Sequence, residues 1–378
     1  MIECNIIAFG NDHTNTLGIV QSIGNAGKKC NAVIFGKKKG VVASSKFIGH
    51  CIYSNSPQDG INLILENFII TKIGPTVIIG CCDDAGLYLD KNKKKLNKAG
   101  FLFQQSFGEH NLSYWQNKHI QTEVAKESGF NIPFSTIIEK TKDIPSTLEY
   151  PVITKPLISS IGSKSDIKVI NDKQSLETEI DEILSHTPKV LLQKFIKKDF
   201  DYTIMGCALK DGNAYIPIIF KKTLICPANT GLEVKGIIEV LPNDSDISNA
   251  VKRFISTIKY VGLFSIEVMH NIEDDKFYFI EANLRNDGCS PMAVKAGINL
   301  PWIHCLNLLD ISIPETNFSK LPLKGIWDNH HLSSLFHGYI SLTSWIKDLF
   351  EKDVFLFFSW TDPKPTIKLI TNMFKNHI

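Results

Sequence analysis

Short apolar runs alternate with segments of helical periodicity along the first hundred residues of the chain. The runs at 5–9, 31–35 and 76–79 have the length of strands and are rich in isoleucine, valine and phenylalanine. The segments with helical periodicity lie at 16–26, 60–71 and 85–97. Such alternation is typical of a parallel sheet covered by helices. We therefore predict an N-terminal α/β domain over residues 1–112.

The pattern changes after this domain. An amphipathic helix ends at Gly129, and the β-rich runs that follow surround a helix at 173–184. These runs lie at 151–156, 167–170, 190–196 and 202–209. Strands and helices alternate again over 224–309. We predict a small α+β lobe over 113–197 and a larger α+β lobe over 198–378.

The motifs of the commonest nucleotide-binding proteins are missing. The segment after the first strand reads GNDHTN at 10–15 where a dinucleotide-binding protein has G-x-G-x-x-G. The second strand runs into GKKK at 36–39, with no acidic residue for a ribose hydroxyl. A P-loop signature is also absent from the sequence. The sequence disfavours a nicotinamide-dependent enzyme and a P-loop nucleotidase.

Composition excludes further classes of protein. A formal net charge of +2 is too small for a surface that tracks nucleic-acid phosphates. The nine cysteines form no C-x-x-C pair, which is typical of a reducing compartment. No apolar run approaches the roughly 20 residues that span a bilayer. We expect a cytoplasmic protein with no nucleic-acid partner.

The strongest chemical signal is a predicted hairpin of strands 263–269 and 277–285. Because strand side chains alternate, Glu281, Asn283 and Arg285 project from one face, and a turn near 274 places Glu267 opposite Glu281. Two carboxylates and an amide oxygen are ligands suited to Mg²⁺. The pattern predicts a metal site; the alternative is a structural salt-bridge cluster.

Arg285 adds to this signal. It is one of two arginines, with Arg253, in a chain that otherwise uses lysine. A planar guanidinium binds a phosphate or a carboxylate through two parallel hydrogen bonds.

The run EANLRNDG at 281–288 resembles the E-x-N-x-R signature of ATP-grasp enzymes, with Glu267 as the other metal carboxylate. The resemblance covers residues 2–309 and implies a Rossmann-like pre-ATP-grasp domain, a mobile ATP lobe and a C-terminal lobe that carries the metals. It implies ATP with Mg²⁺ or Mn²⁺ as cofactors. Arg285 and Lys155 would be catalytic, and the metal ligands would be Glu267, Glu281 and Asn283.

The resemblance also assigns nucleotide-binding residues upstream. Lys118 and Lys155 resemble the two phosphate-binding lysines, although Asn117 stands where the family often has aspartate. The segment 159–163 resembles the loop that closes over the phosphates, and 190–196 resembles the adenine hinge. One of Asp199 and Asp201 would accept from the ribose hydroxyls. The predicted nucleotide-binding set is Lys118, Lys155, Ser160, Gly162, Ser163, Gln193, Lys194, Phe195, Ile196 and Asp201.

The implied reaction has two steps. A carboxylate attacks the γ-phosphate of ATP and releases ADP, and an amine or similar nucleophile then attacks the acyl phosphate and releases phosphate. The segments at 16–19, 44–47, 82–84 and 357–365 resemble the D-aspartate ligases and the ATP-grasp ligases of surface-polysaccharide pathways. The substrates would be small carboxylates and amines.

Other residues leave alternatives open. Asp83 or Asp84 would bind an amine at the end of a parallel strand, or would cap the following helix. Either Lys221 or Lys222 would touch a phosphate, or both would be exposed. An amphipathic segment at 366–376 would pack on its own domain or dock on a membrane.

Two competing functions stay open. The first is ATP-grasp carboxylation through carboxyphosphate, which would require bicarbonate. The second is a non-catalytic nucleotide-binding protein, an alternative that the departures at Asn117 and Lys194 keep open. A homo-oligomer is compatible with either function.

Overall fold

The computed structural model describes residues 3–68, 74–156, 166–227 and 231–375. The predicted phosphate-loop residues Ser160, Gly162 and Ser163 lie outside these ranges. Across the described ranges the strands form three sheets, in the chain order that the apolar pattern predicts.

The first sheet is parallel and has the order β3-β2-β1-β4-β5. Its strands are β1 (Asn5–Asn11), β2 (Cys30–Phe35), β3 (Ile48–Ser54), β4 (Thr76–Gly80) and β5 (Phe101–Phe103). Its helices are α1 (Thr14–Asn25), α2 (Pro57–Phe68), α3 (Asp83–Lys91) and α4 (Lys93–Lys98). The predicted parallel α/β pattern is confirmed.

Two local features of this domain differ from the prediction. The edge strand β3 was missed because its pattern is half polar and only partly buried. The helix predicted over 85–97 is two helices, α3 and α4, separated at Asn92. The side-chain amide of Asn92 donates to the carbonyl of Tyr88, 2.9 Å away, and so ends α3.

The second sheet is antiparallel and small, with the order β7-β10-β8-β9. Its strands are β7 (Ser135–Ile138), β8 (Val152–Pro156), β9 (Val169–Ile170) and β10 (Val190–Lys194). Helix α7 (Lys173–Leu184) is capped by Asp172, whose carboxylate accepts from the N–H of Ser175. Leu176, Ile180 and Ile183 of α7 pack on this sheet.

The third sheet is the largest, with the order β15-β14-β11-β12-β13-β16-β17 and with β6 beside β14. Its strands are β6 (Gln105–Ser106), β11 (Lys198–Ala208), β12 (Ala214–Cys226), β13 (Leu232–Val240), β14 (Tyr260–Asn271), β15 (Lys276–Asn283), β16 (Leu323–Ile326) and β17 (Val354–Phe355). The helices around it are α5 (Leu112–Trp115), α6 (Lys118–Glu127), α8 (Asp246–Ile258), α9 (Ser290–Lys295), α10 (Leu300–Leu308), α11 (Asp328–Phe336), α12 (Leu342–Glu351) and α13 (Lys364–Lys375).

Helices α5 and α6 pack against the third sheet. Trp115, Val124 and Phe130 share a core with Phe254 and Phe279. The helix predicted from Tyr114 onward is therefore two short helices on the large lobe. The bounds predicted from the sequence, 113–197 for the small lobe, instead assign these helices to the small lobe.

The first domain is fixed to the large lobe through α1. A continuous apolar core joins Leu17 and Val20 of α1 to Met292 of α9 and Ile303 of α10. The helices approach so closely that a Cβ at Gly18 would lie 2.8 Å from the ring of Pro291. This contact joins the first domain to α9 and α10 of the large lobe.

The segment 354–362 crosses from the large lobe to the first domain. Lys295 donates to the carbonyls of Leu356 and Phe358, at 2.9 and 3.0 Å. At the other end, Asp362 accepts from Ser45 Oγ at 2.6 Å and from the N–H of Lys46 at 2.9 Å. Within the described ranges, no helix is long and apolar enough to cross a membrane.

The paired glycines Gly236 of β13 and Gly325 of β16 provide a test of how closely Phe220 packs on β13. A Cβ at Gly236 would lie 2.0 Å from the ring of Phe220 and 2.5 Å from the carbonyl oxygen of Lys221, whereas one at Gly325 would meet the side chain of Met292. We expect Gly236→Ala to lower the free energy of unfolding by about 1–3 kcal/mol, measured by denaturant titration.

The matched control is Gly325→Ala, because the flexible thioether of Met292 can rotate away. Equal losses in the two variants would contradict the close approach of Phe220 to β13.

Candidate active site

The hairpin of β14 and β15 brings the two predicted metal carboxylates together. Glu267 pairs with Glu281, and Ser265 pairs with Asn283. The predicted register is confirmed, with an irregularity after Glu267 that the sequence did not indicate. Directly opposite residues of antiparallel strands project from the same face. Glu267, Glu281 and Asn283 therefore lie on one face of the third sheet.

Lys222 is the principal cation beside this pair. Its side chain is 5% exposed, and its Nζ lies 2.7 Å from Glu267 Oε2 and 2.7 Å from Glu233 Oε1. Burial acts to lower the pKa of Lys222, but the two carboxylates raise it well above its ordinary value. Lys221 points to the other face, where its Nζ lies 3.9 Å from the ring centroid of Phe200. The structure thus separates the two lysines that the sequence left undecided.

The two carboxylates respond differently to their surroundings. Burial raises the pKa of Glu267 to about 7; Lys222 opposes this rise and Glu281 adds to it. Burial also acts to raise the pKa of Glu281, but Lys118 holds it below its ordinary value. A divalent cation between the two would favour both charged forms.

The carboxylate pair fits a metal that is bound together with a nucleotide. In the described ranges, no group of three or more His, Cys, Asp or Glu side chains could hold a metal ion. Mg²⁺ is commonly held by one or two carboxylates and completes its shell with phosphate and water oxygens. Glu267, Glu281 and Asn283 match that smaller ligand set.

Lys118 reaches the same site from α6. It is the first residue of this helix, and its Nζ lies 3.1 Å from Glu281 Oε2. The preceding Asn117 caps the helix by accepting from the N–H groups of His119 and Ile120. Asparagine and aspartate cap helices about equally well. The departure at Asn117 therefore preserves the position of Lys118.

Gln121 holds α6 against the hairpin, and no sequence pattern indicated it. Its amide oxygen accepts from the N–H of Ala282 at 3.0 Å, and its amide nitrogen donates to the carbonyl of the same residue at 2.8 Å. The side chain is buried. Ala282 lies between Glu281 and Asn283, so this clamp fixes the backbone that carries both predicted ligands.

The small lobe contributes Lys155 and Gln193 to the site. Lys155 Nζ donates to Gln193 Oε1 at 2.8 Å between the adjacent strands β8 and β10. Burial and then the charge of Lys118 lower the pKa of Lys155 to about 8. Two lysines that repel each other in a buried site are chemically suited to a polyanion such as a triphosphate.

The backbone of the predicted hinge is partly committed to the sheet. The N–H of Lys194 donates to the carbonyl of Phe134, and that of Phe195 donates to the carbonyl of Pro151. The N–H of Ile196 has no partner within the described ranges and is therefore the donor that this run offers to a base. The side chain of Lys194 pairs with Glu149 at 2.5 Å and is 45% exposed. The ammonium of Lys194 pairs with Glu149 on the face of the small sheet opposite to Lys155.

Asp201 is the better placed of the two candidate ribose ligands. Its Oδ2 pairs with Lys198 at 2.5 Å, while its Oδ1 is buried and has no hydrogen-bond partner in the described ranges. Asp199 is instead paired with His270 at 2.9 Å. A buried acceptor without a donor favours a ligand hydroxyl at this position.

Arg285 links the third sheet to the first domain. Its Nε lies 3.1 Å from Asp83 Oδ1, across 202 residues of sequence. Asp83 is in the first turn of α3, whose N-cap is Cys82, so the alternative that Asp83 or Asp84 is the cap residue is wrong. The carboxyl end of β4 therefore meets the predicted catalytic arginine.

The three sheets and the face of lysines and carboxylates between them define the ATP-grasp fold. A family model described as "Carbamoyl-phosphate synthase L chain, ATP binding domain" matches residues 114–303, half of the chain. The chain belongs to this family. The predicted class, a protein of the ATP-grasp superfamily, is confirmed.

Individual proteins are more distant. The chain is 26% identical over 183 residues to the carbamoyl phosphate synthase large chain, C-terminal section, of Methanopyrus kandleri, covering 47% of this chain and 33% of that one. The chain thus spans only a third of this curated relative.

Two solved structures share the fold. One is N5-carboxyaminoimidazole synthetase from Staphylococcus aureus, with a TM-score of 0.68 and 15% identity over 89% of this chain and 88% of that one. The other is L-amino acid ligase from Bacillus licheniformis, with a TM-score of 0.58 and 16% identity over 82% of this chain and 75% of that one.

The pKa of Lys155 generates a pH prediction. Above pH 8 Lys155 of the unliganded protein loses its proton. Binding of an anionic ligand must then be accompanied by protonation of Lys155. We expect ADP, titrated by calorimetry without magnesium, to bind about tenfold more weakly for each pH unit above 8 until the pKa of the complex is reached.

Lys155→Arg is the control, because a guanidinium stays protonated throughout this range. The same alkaline weakening in this variant would assign the titration to another group.

The clamp generates a second prediction. Gln121→Leu leaves the buried N–H and carbonyl of Ala282 without their side-chain partner, and we expect a loss of about 1–3 kcal/mol in unfolding free energy by denaturant titration. We also expect more Mg²⁺ to be needed for half-maximal ATP binding. Gln174→Leu, at an exposed position of α7, serves as the control and should change little.

Proposed function

We propose that the chain is an ATP- and Mg²⁺-dependent ligase that activates a carboxylate as an acyl phosphate and couples it to an amine. The observation that carries this proposal is the joining of both predicted metal carboxylates to cations from different parts of the chain. Glu281 pairs with Lys118 of α6, and Glu267 pairs with Lys222 of β12. Such a face can bind a metal-triphosphate complex and neutralise the charge that develops on it.

The residues would divide the work by position. Lys118 and Lys155 would hold the phosphates, and the free oxygen of Asp201 would accept from a ribose hydroxyl. Gln193, beside Lys155, would lie near the base. Lys222 would exchange part of its pairing with Glu267 for a transferring phosphoryl oxygen. Glu267, Glu281 and Asn283 would hold Mg²⁺, which would supply Lewis-acid chemistry at the phosphates.

The second substrate would bind between Arg285 and the first domain. The guanidinium of Arg285 is suited to a carboxylate or an acyl phosphate, and Asp83 beside it is suited to an ammonium. A group with both charges, as in an amino acid, would match this pair. This pairing supports the narrower proposal of an amino-acid ligase of the D-aspartate ligase or surface-polysaccharide group.

The test is Mg²⁺-dependent ADP release with a panel of D- and L-amino acids, with and without acceptor amines, and in parallel with bicarbonate. We expect turnover that requires an amino acid. Turnover that requires bicarbonate would contradict the ligase proposal and indicate a carboxylase. ATP binding without ADP release under every mixture would leave a nucleotide-binding protein.

Variants connect the activity to the site. We expect Glu281→Gln to lower kcat by at least about a hundredfold and to raise the Mg²⁺ requirement, because one metal carboxylate is lost. Arg285→Lys keeps the positive charge but loses the two parallel hydrogen bonds of the guanidinium, and it should raise KM for the amino acid. Glu177→Gln, on the exposed side of α7, is the matched control. Full activity in Glu281→Gln would contradict the proposed metal site.

A further inference from the structure

Basic and apolar side chains share the outer face of α13. Lys364, Ile367, Thr371 and Phe374 recur at helical spacing, and all four are exposed. Ile367 is 58% exposed and Phe374 is 46% exposed. The helix contains three lysines and no acidic residue. It packs on the protein through Pro365 and Thr366 and leaves this mixed stripe to solvent.

The loop after β2 extends the stripe with further positive charge. Lys37, Lys38 and Lys39 are all exposed. The side-chain amide of Asn372 in α13 donates to the carbonyl of Lys39 at 3.0 Å. A Cβ at Gly40 would lie 3.2 Å from Cε of Lys368. The lysine loop and α13 therefore form one continuous surface.

This loop is fixed in place by a buried carboxylate. Asp12 accepts from the N–H groups of Lys39, Gly40, Val41 and Val42 at 2.6–3.0 Å. Asp12 is 2% exposed, and its four charge-assisted hydrogen bonds fix the loop backbone from Lys39 onward. A surface that is ordered before it binds loses less conformational entropy on binding.

An aromatic pair continues the surface beyond α13. Phe336, at the end of α11, packs edge to face on Phe374 with ring centroids 5.5 Å apart. Phe336 is 61% exposed, and Trp360, just before α13, is 89% exposed. Exposed aromatic rings next to lysines are the composition of helices that lie in the interface of a bilayer.

We propose that this surface, formed by Lys37–Lys39, Phe336, Ile367, Lys368, Phe374 and Lys375, docks the protein on an anionic membrane surface. Lysines near a negatively charged leaflet attract its headgroups, and the apolar side chains enter the boundary of the acyl chains. A polyanion in solution would use the lysines but leave Ile367 and Phe374 in water. A symmetric pair of chains through this surface would bring the lysine stripes against each other without acidic partners on α13.

The surface adjoins the side of the site where the second substrate would enter. Burial lowers the pKa of His13, and the charges of Lys39 and Arg285 lower it further. Lys39 and Arg285 are therefore both near His13. A protein docked in this way would hold the entrance next to Arg285 close to the headgroups.

The experiment is co-flotation of the full chain with vesicles of phosphatidylcholine alone and of phosphatidylcholine mixed with phosphatidylglycerol. We expect binding to the mixed vesicles only, and release at high salt because exposed charges are screened. Lys368→Glu combined with Lys375→Glu should weaken vesicle binding by about tenfold or more. Ile367→Ser combined with Phe374→Ser should weaken it without removing the salt dependence.

The matched control is Lys173→Glu combined with Lys189→Glu, which makes the same change in net charge on exposed lysines of the small lobe. Equal loss of binding in this control would overturn the proposal, because net charge alone would then explain it. So would a concentration-dependent dimer that Ile367→Ser with Phe374→Ser dissociates, in a protein that never floats with vesicles. ADP release with water-soluble substrates, measured on the same variants, should be unchanged, which keeps this test independent of the proposed ligase.

Discussion

The third sheet depends on the balance of charges on one of its faces. Glu233, Glu267 and Glu281 lie close together, and the sheet tolerates them because Lys222 and Lys118 lie between and beside them. Removing one partner of such a buried set leaves an uncompensated charge, which costs several kcal/mol. The same arrangement that allows the strands to pair also makes the face able to receive a metal and a polyanion.

The other parts of the molecule bring further groups to this face. Helix α6 presents Lys118 because Asn117 caps it and Gln121 holds it to β15. The small lobe contributes Lys155 from a neighbouring strand pair. The first domain contributes Asp83, which meets Arg285 because α1 packs so closely on α9. The charged groups of the site therefore come from all three parts of the molecule.

The segment that follows β17 connects two features of the protein. Lys295 and Asp362 bind it at both ends, so the segment links the first domain to the large lobe. The same segment leads into α13, whose outer face is exposed. An element that stabilises the lobe arrangement therefore also sets where the basic and aromatic surface lies relative to the site.

The sequence alone determined what depends on short-range geometry: the parallel α/β pattern, the hairpin and its register between Glu267 and Glu281. Strand alternation and turn position fix such features within a few residues. Tertiary structure decided that Lys222 and not Lys221 enters the site, that Glu233 and Gln121 support it, and that Arg285 meets Asp83 across 202 residues. These contacts join distant segments, and packing of the lobes, not local spacing, brings them within hydrogen-bond distance.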